Sequence, residues 1–147
     1  MEKILDKNIK SNLSGRAGYL NYLTDNERVA LTELKEKIAE KYPTAQIILY
    51  GSKARGDYDE NSDIDILIVI NDNYNIDKNI SFEELEKRYF MAVDKGIEDE
   101  ISNILVDIQV KYCISIDYQI KNKSYINTNL AGIVPLYQNI KKEGIKL

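Results

Sequence analysis

The sequence predicts a small α/β (α+β) fold, a mixed β-sheet of three or more strands covered by helices. Three observations carry this. Helix-period apolar residues follow a capping box at Thr24. Two brief β-branched runs come next, at 46–50 and 62–70. Helical spacing then returns ahead of a Val/Ile/Tyr-rich segment at 106–116. Helix and strand periods alternating along one chain are what a sheet with helical cover requires.

The first 23 residues have no clear period and contain Ser14-Gly15-Arg16 and Gly18, so an arm with at most a short helical piece is expected. Thr24 with Glu27 three positions on forms a capping box, and Ala30, Leu31, Leu34, Ile38 and Ala39 keep one face apolar until Pro43. This predicts a helix over about 25–41. Gln46 to Tyr50 is too short for a helix and β-branched, hence a strand buried on both faces and ended by Gly51. Ser62 to Ile70 is the clearest strand: Ile64, Ile66, Ile68 and Ile70 share one face, and Asp63, Asp65, Leu67 and Val69 the other. Asn71 to Asn79 reads as a loop. Ser81 with Glu84 is a second capping box, after which Leu85, Tyr89, Val93, Ile97, Ile101 and Ile104 predict a helix that Gly96 weakens or kinks. Val106 to Ile116 is expected to be a third strand, 117–134 has no firm assignment, and Pro135 opens a last helix, Leu136 to Lys142, stopped at Gly144.

Composition narrows the chemistry. The 147 residues are 44% hydrophobic and 30% charged, with seven glycines and two prolines, which excludes disordered and low-complexity classes and fits one domain over 1–147. With no histidine, every mechanism built on imidazole is excluded, and chemistry must rest on carboxylates. The lone Cys113 reads as a small core residue, since no internal disulfide or thiolate cluster can form. A net charge of -4 is the wrong sign for holding long nucleic acid. No apolar stretch has signal-peptide or membrane-span length, so the cytoplasm is the expected compartment.

The segment from Ile47 to Ile70 concentrates the candidates. A buried strand runs into Gly51-Ser52, where a missing side chain and a short hydroxyl let backbone amides approach an anion; Lys53 and Arg55 add positive charge in the same turn. Across a gap of ten residues from Ser52, Asp63 and Asp65 fall on one face of a strand, about 6.6 Å apart at a rise of ~3.3 Å per residue. Such carboxylates suit Mg²⁺, which takes oxygen ligands and usually keeps substrate phosphates among them. Each feature alone is commonplace: Gly-Ser is a turn, acid-X-acid is a solvated strand end, and loop cations are surface. Together they are not, because two aspartates heading an otherwise apolar strand repel one another unless a cation sits between them.

Gly51-Ser52, the ten-residue gap holding Lys53-Ala54-Arg55-Gly56, and Asp63-X-Asp65 resemble the signature of the DNA polymerase β-like nucleotidyltransferase superfamily, and closely its minimal nucleotidyltransferases (MNT proteins). The closing Asn139 to Ile145 resembles, more weakly, the ending of those proteins. The resemblance implies a nucleotidyltransferase-like fold, one or two Mg²⁺ held by Asp63 and Asp65, and a nucleoside triphosphate, ATP above others, held by Gly51 and Ser52 with help from Lys53 and Arg55. It also implies a third carboxylate from a later strand, which would ligate metal and orient or deprotonate the acceptor. Asp107 is the expected third acid, with Asp117 second. The acceptor surface is expected from a partner, and the resemblance points to a toxin–antitoxin pair in which AMP is transferred to a HEPN ribonuclease. A transferase acting on an antibiotic-like small molecule and a non-catalytic binding protein are the alternatives.

Overall fold

A computed structural model describes residues 22–59, 61–71, 79, 81, 83–84 and 93–147. Most of the expected N-terminal arm, the 72–78 part of the Asn-rich loop, and Leu85 and Tyr89 lie outside the described residues. Thr24 starts helix α1 (Asp25–Lys41) as its capping box requires. The Thr24 hydroxyl accepts from the Glu27 amide at 3.1 Å, and Glu27 accepts from the Thr24 amide at 2.8 Å. Ala30, Leu31, Leu34 and Ile38 form its buried stripe.

Strand β1 (Gln46–Tyr50), the one-turn helix α2 (Ser52–Arg55) and strand β2 (Ile64–Ile70) follow. The period of two in β2 divides as expected. Ile64, Ile66, Ile68 and Ile70 join the core beneath α1, while Leu67 and Val69 join Ile48 and Tyr50 in a second core on the other face. Helix α3 (Lys95–Tyr112) leads to β3 (Ile116–Asn122), the short helices α4 (Lys123–Ile126) and α5 (Asn129–Ile133), helix α6 (Pro135–Glu143) with proline in its first turn, and strand β4 (Ile145–Lys146). The sheet order is β3-β2-β1-β4. β1 runs antiparallel to β2 and β4, whereas β2 and β3 are parallel. Parallel neighbours need a long crossover. Helix α3 lies within it and packs antiparallel on α1, with Asn26 reaching the Tyr112 carbonyl at one end and Lys41 reaching Glu100 at the other. Tyr125, Ile126, Ala131, Tyr137 and Ile140 of the C-terminal helices cover the opposite face.

The expected third strand over Val106 to Ile116 is a helix as far as Tyr112, and this corrects the placement of Asp107. Two periods compete there. Val106, Ile108, Val110 and Tyr112 alternate by two, but Ile97, Ile101, Ile104, Leu105, Ile108 and Tyr112 repeat by three and four, and this second set packs into the core. The set with the larger buried area wins, leaving Val106 and Val110 51% and 74% exposed. Asp107 is therefore an exposed helical residue, about 120° around α3 from the buried stripe at ~100° per residue, and does not head a strand. Asp94 caps this helix, its side chain accepting from the Gly96 and Ile97 amides at 2.9 and 3.3 Å, so Gly96 lies in the first turn and neither ends nor kinks α3. Ser81 caps as expected, accepting from the Glu84 amide at 3.2 Å.

Candidate active site

Pairing places the ends of three strands together. Tyr50 closes β1 opposite Asp65 of β2, and Asp65 lies in register with Asp117 of β3. Paired residues share a face, so Tyr50, Asp65 and Asp117 form one row across the sheet, on the side of Leu67 and Val69. Asp63 precedes Asp65 by two residues and is exposed just before β2 begins.

The electrostatics report the same neighbourhood. Burial, then Asp117, then Asp63 raise the Asp65 carboxyl above its ordinary range; Arg55 opposes them and Glu143 adds to them. Asp107 is not among these groups. Burial with Asp65 and Asp117 pushes the Tyr50 phenol up to about 12. The third acid beside the pair is thus Asp117, the second choice from sequence. Its strand carried a readable signal: Ile116, Tyr118 and Ile120 alternate with Asp117, Gln119 and Lys121.

Gly51 turns the chain from β1 into α2 at φ +76° and ψ −158°, a region that essentially only glycine occupies. A Cβ there would overlap the Asp65 carboxylate, so the absent side chain makes room for that acid. The Ala54 and Arg55 amides return to the Gly51 carbonyl at 3.0 Å each. Those of Ser52 and Lys53, in the first turn, have no carbonyl inside the helix to return to. Ser52 is half-buried beside them.

Both cations of the turn are engaged within the chain. Lys53 is buried, with its ammonium 3.3 Å from Glu27 and 4.4 Å from the centre of the Tyr58 ring. It ties α2 to the N-terminus of α1. Arg55 places NH1 2.9 and 3.0 Å from the two oxygens of Glu143, and Nε 3.2 and 3.1 Å from those of Asp57. Glu143 also accepts from the Gly51 amide at 3.1 Å. The sequence signals neither Glu143 nor Tyr50 as a site residue. No local spacing links Glu143 to a turn 92 residues away.

A cavity of about 430 Å³ opens beside Asp63, lined by Thr24, Asn26, Lys53, Asn61 and Ser115 among others. For a hard cation the donor chemistry fits: oxygen ligands at the heads of adjacent strands, with burial and like charges raising Asp65 where a cation would lower it. Among the described residues, no three acidic side chains stand close enough as placed to enclose an ion.

Comparison with known proteins agrees with this geometry. Residues 31–132 match the family model described as "Nucleotidyltransferase domain". The chain is 54% identical over 46 residues to "Putative protein adenylyltransferase MJ0604" of Methanocaldococcus jannaschii, covering 30% of this chain and 46% of that protein. It is 36% identical over 63 residues to "Putative protein adenylyltransferase MJ0141" of the same organism, covering 43% and 58%. The chain thus spans about half the length of the curated relatives it matches. On a match to more than half of its residues, with the Gly51-Ser52 turn and the acids of β2 and β3 inside the matched segment, the chain belongs to the nucleotidyltransferase-domain family.

Proposed function

We propose that this chain transfers AMP from ATP, in the presence of Mg²⁺, to a hydroxyl group on a partner protein. The observation that supports it most is the Asp65–Asp117 register directly beside the Gly51-Ser52 turn. Ser52 and the first-turn amides hold the β- and γ-phosphates, and the acid row faces the α-phosphorus. Asp65 and Asp117, with Asp63, would supply carboxylate oxygens to Mg²⁺, the triphosphate and water the rest, and the ion would draw charge from the phosphate oxygens. Asp117 orients the acceptor hydroxyl and takes its proton. The acceptor oxygen then bonds to the α-phosphorus in line as the bond to the bridging oxygen breaks, and pyrophosphate leaves with that electron pair. Lys53 and Arg55 act by shaping the turn, since each is already paired.

A protein acceptor is supported by the names of the relatives. Within the minimal branch that the signature resembles, a HEPN ribonuclease of a toxin–antitoxin pair is the acceptor we favour, in the cytoplasm. No helix among the described residues is long and apolar enough to cross a membrane. The test is incubation with α-labelled and γ-labelled ATP, Mg²⁺ and a HEPN protein. Label from the α position on the HEPN band, none from the γ position, and release of pyrophosphate are expected. Absence of α-label from every protein present, or transfer of γ-label, contradicts the proposal.

A further inference from the structure

The carboxylate of Glu143 bridges two distant parts of the chain. It ends α6, 92 residues from Gly51, yet it accepts the Gly51 amide at 3.1 Å and grips Arg55 through both oxygens. Its side chain is only 16% exposed. The residues after it hold it in place. A Cβ on Gly144 would lie 2.9 Å from Ile48 Cγ2, so α6 ends in close contact with β1. Ile145 and Lys146 then pair with Leu49 and Ile48, and the Leu147 amide donates to the Ile47 carbonyl at 2.9 Å. Glu143 is therefore carried on β1 itself, one strand end away from the turn.

From these contacts we infer that Glu143 is the positioning residue of the nucleotide turn, acting through Gly51 and Arg55. The inference rests on the reading of Gly51-Ser52 as the turn that holds phosphates. Glu143 fixes the entry of the turn by the Gly51 amide and its exit by Arg55, so Ser52 lies between two restrained points. It also removes Arg55 from direct phosphate duty: with Asp57 on Nε and Glu143 on NH1, two carboxylates more than balance one guanidinium. Arg55 is then a positioning residue in the same unit, and the C-terminal helix and strand belong to the nucleotide site although they contribute no ligand to it.

Residues that act as a unit give non-additive losses, and a double-mutant cycle reads this directly. Affinity for MgATP is measured by calorimetry for wild type, Glu143→Ala, Arg55→Ala and the double variant. Each single change is expected to weaken binding about tenfold, the scale of one charge-assisted hydrogen bond, and the double no more than the worse single. Glu143→Gln, which keeps an acceptor for the Gly51 amide, is expected to recover most of the loss, while hydrogen exchange at Gly51 is faster in Glu143→Ala than in wild type. MgATP binding by Glu143→Ala at or above the wild-type affinity overturns the inference, because it makes Glu143 a competitor of phosphate for Arg55. Losses that multiply in the double variant overturn it too. Should the alanine variants not fold, Glu143→Met, Arg55→Met and their double, which keep side-chain bulk while removing the acceptor and the guanidinium, make the same cycle: non-additive losses support the inference and multiplied losses overturn it. Failure of the wild type to bind MgATP removes the phosphate reading and the inference with it, whereas wild-type binding with multiplied losses removes the inference alone.

Discussion

Replacing Gly51 by alanine separates two costs that meet at the carboxylate row. The backbone at φ +76°, ψ −158° lies in a region where a side chain costs about 1 to 3 kcal/mol. The new Cβ also overlaps the Asp65 carboxylate, with Asp65 Cγ at 3.1 Å and Cβ at 3.3 Å, and displacing a packed group costs a further ~1 to 3 kcal/mol. The expected loss is therefore about 2 to 6 kcal/mol, large beside the ~5 to 15 kcal/mol stability of ordinary domains. Urea unfolding, with unchanged m, measures it. Asp65→Ala in the same chain removes Oδ2 and Cγ and leaves the 3.3 Å contact, so the double variant recovers the overlap cost but not the backbone cost. Gly51→Ala within ~0.5 kcal/mol of wild type, or strict additivity of Gly51→Ala with Asp65→Ala, is incompatible with both costs acting at this position.

Lys53→Met leaves the Glu27 charge buried without its partner and is expected to cost about 3 to 5 kcal/mol in chemical denaturation, most of it regained by adding Glu27→Gln. Without divalent cations, Asp65→Asn relieves repulsion between Asp65, half-buried, and Asp117 across paired strands: charges ~4.8 Å apart repel by about 1 kcal/mol even at the dielectric of water and by more where solvent is partly excluded, raising Tm by at least roughly 2 to 4 °C. A lower Tm argues against the acid row. The Tyr50 phenol, pushed up to about 12 from 10.0 by burial and by Asp65 and Asp117, titrates late in an ultraviolet absorbance titration alongside Tyr42, which burial and Glu100 also push up to about 12, and Tyr50→Phe halves the late component that the two phenols contribute. Its folded state holds the proton longer than the unfolded state, so the stability it contributes is complete below pH 10 and declines as pH rises toward 12.

The strand carrying the acid pair is legible in the sequence because its two faces bury different cores, so Ile64 to Ile70 satisfies a period of two without competition. The Gly51-Ser52 turn is legible because its demand for glycine is local. The stretch after Ile104 is not, since Val106, Ile108 and Val110 fit a strand locally and only the partners of Ile101, Leu105 and Ile108 on the sheet decide for a helix. The end of that helix gives no help either: Cys113, exposed and not the core residue expected, takes the left-handed cap position, φ 53° and ψ 47°, where a glycine would have announced the stop. A strand at that point would have carried Asp107 to the sheet; the helix displaces the strand to Ile116, and Asp117 takes the register instead. Ion pairs across the fold, Lys53–Glu27 and Arg55–Glu143, follow from topology and leave no spacing to read. The two-residue β4 is likewise too short to carry a period.

If the acids at the heads of β2 and β3 carry the transfer, Asp117 and Asp107 must behave in opposite ways. Asp117→Asn and Asp107→Asn are compared in transfer of α-label from ATP to an acceptor protein, with MgATP binding followed in parallel. Asp117→Asn is expected to lose transfer by several orders of magnitude and stay folded, while Asp107→Asn, on the exposed side of α3, transfers at the wild-type rate. Wild-type transfer by Asp117→Asn, or loss of transfer by Asp107→Asn with the fold intact, would remove the acid row as the seat of the chemistry.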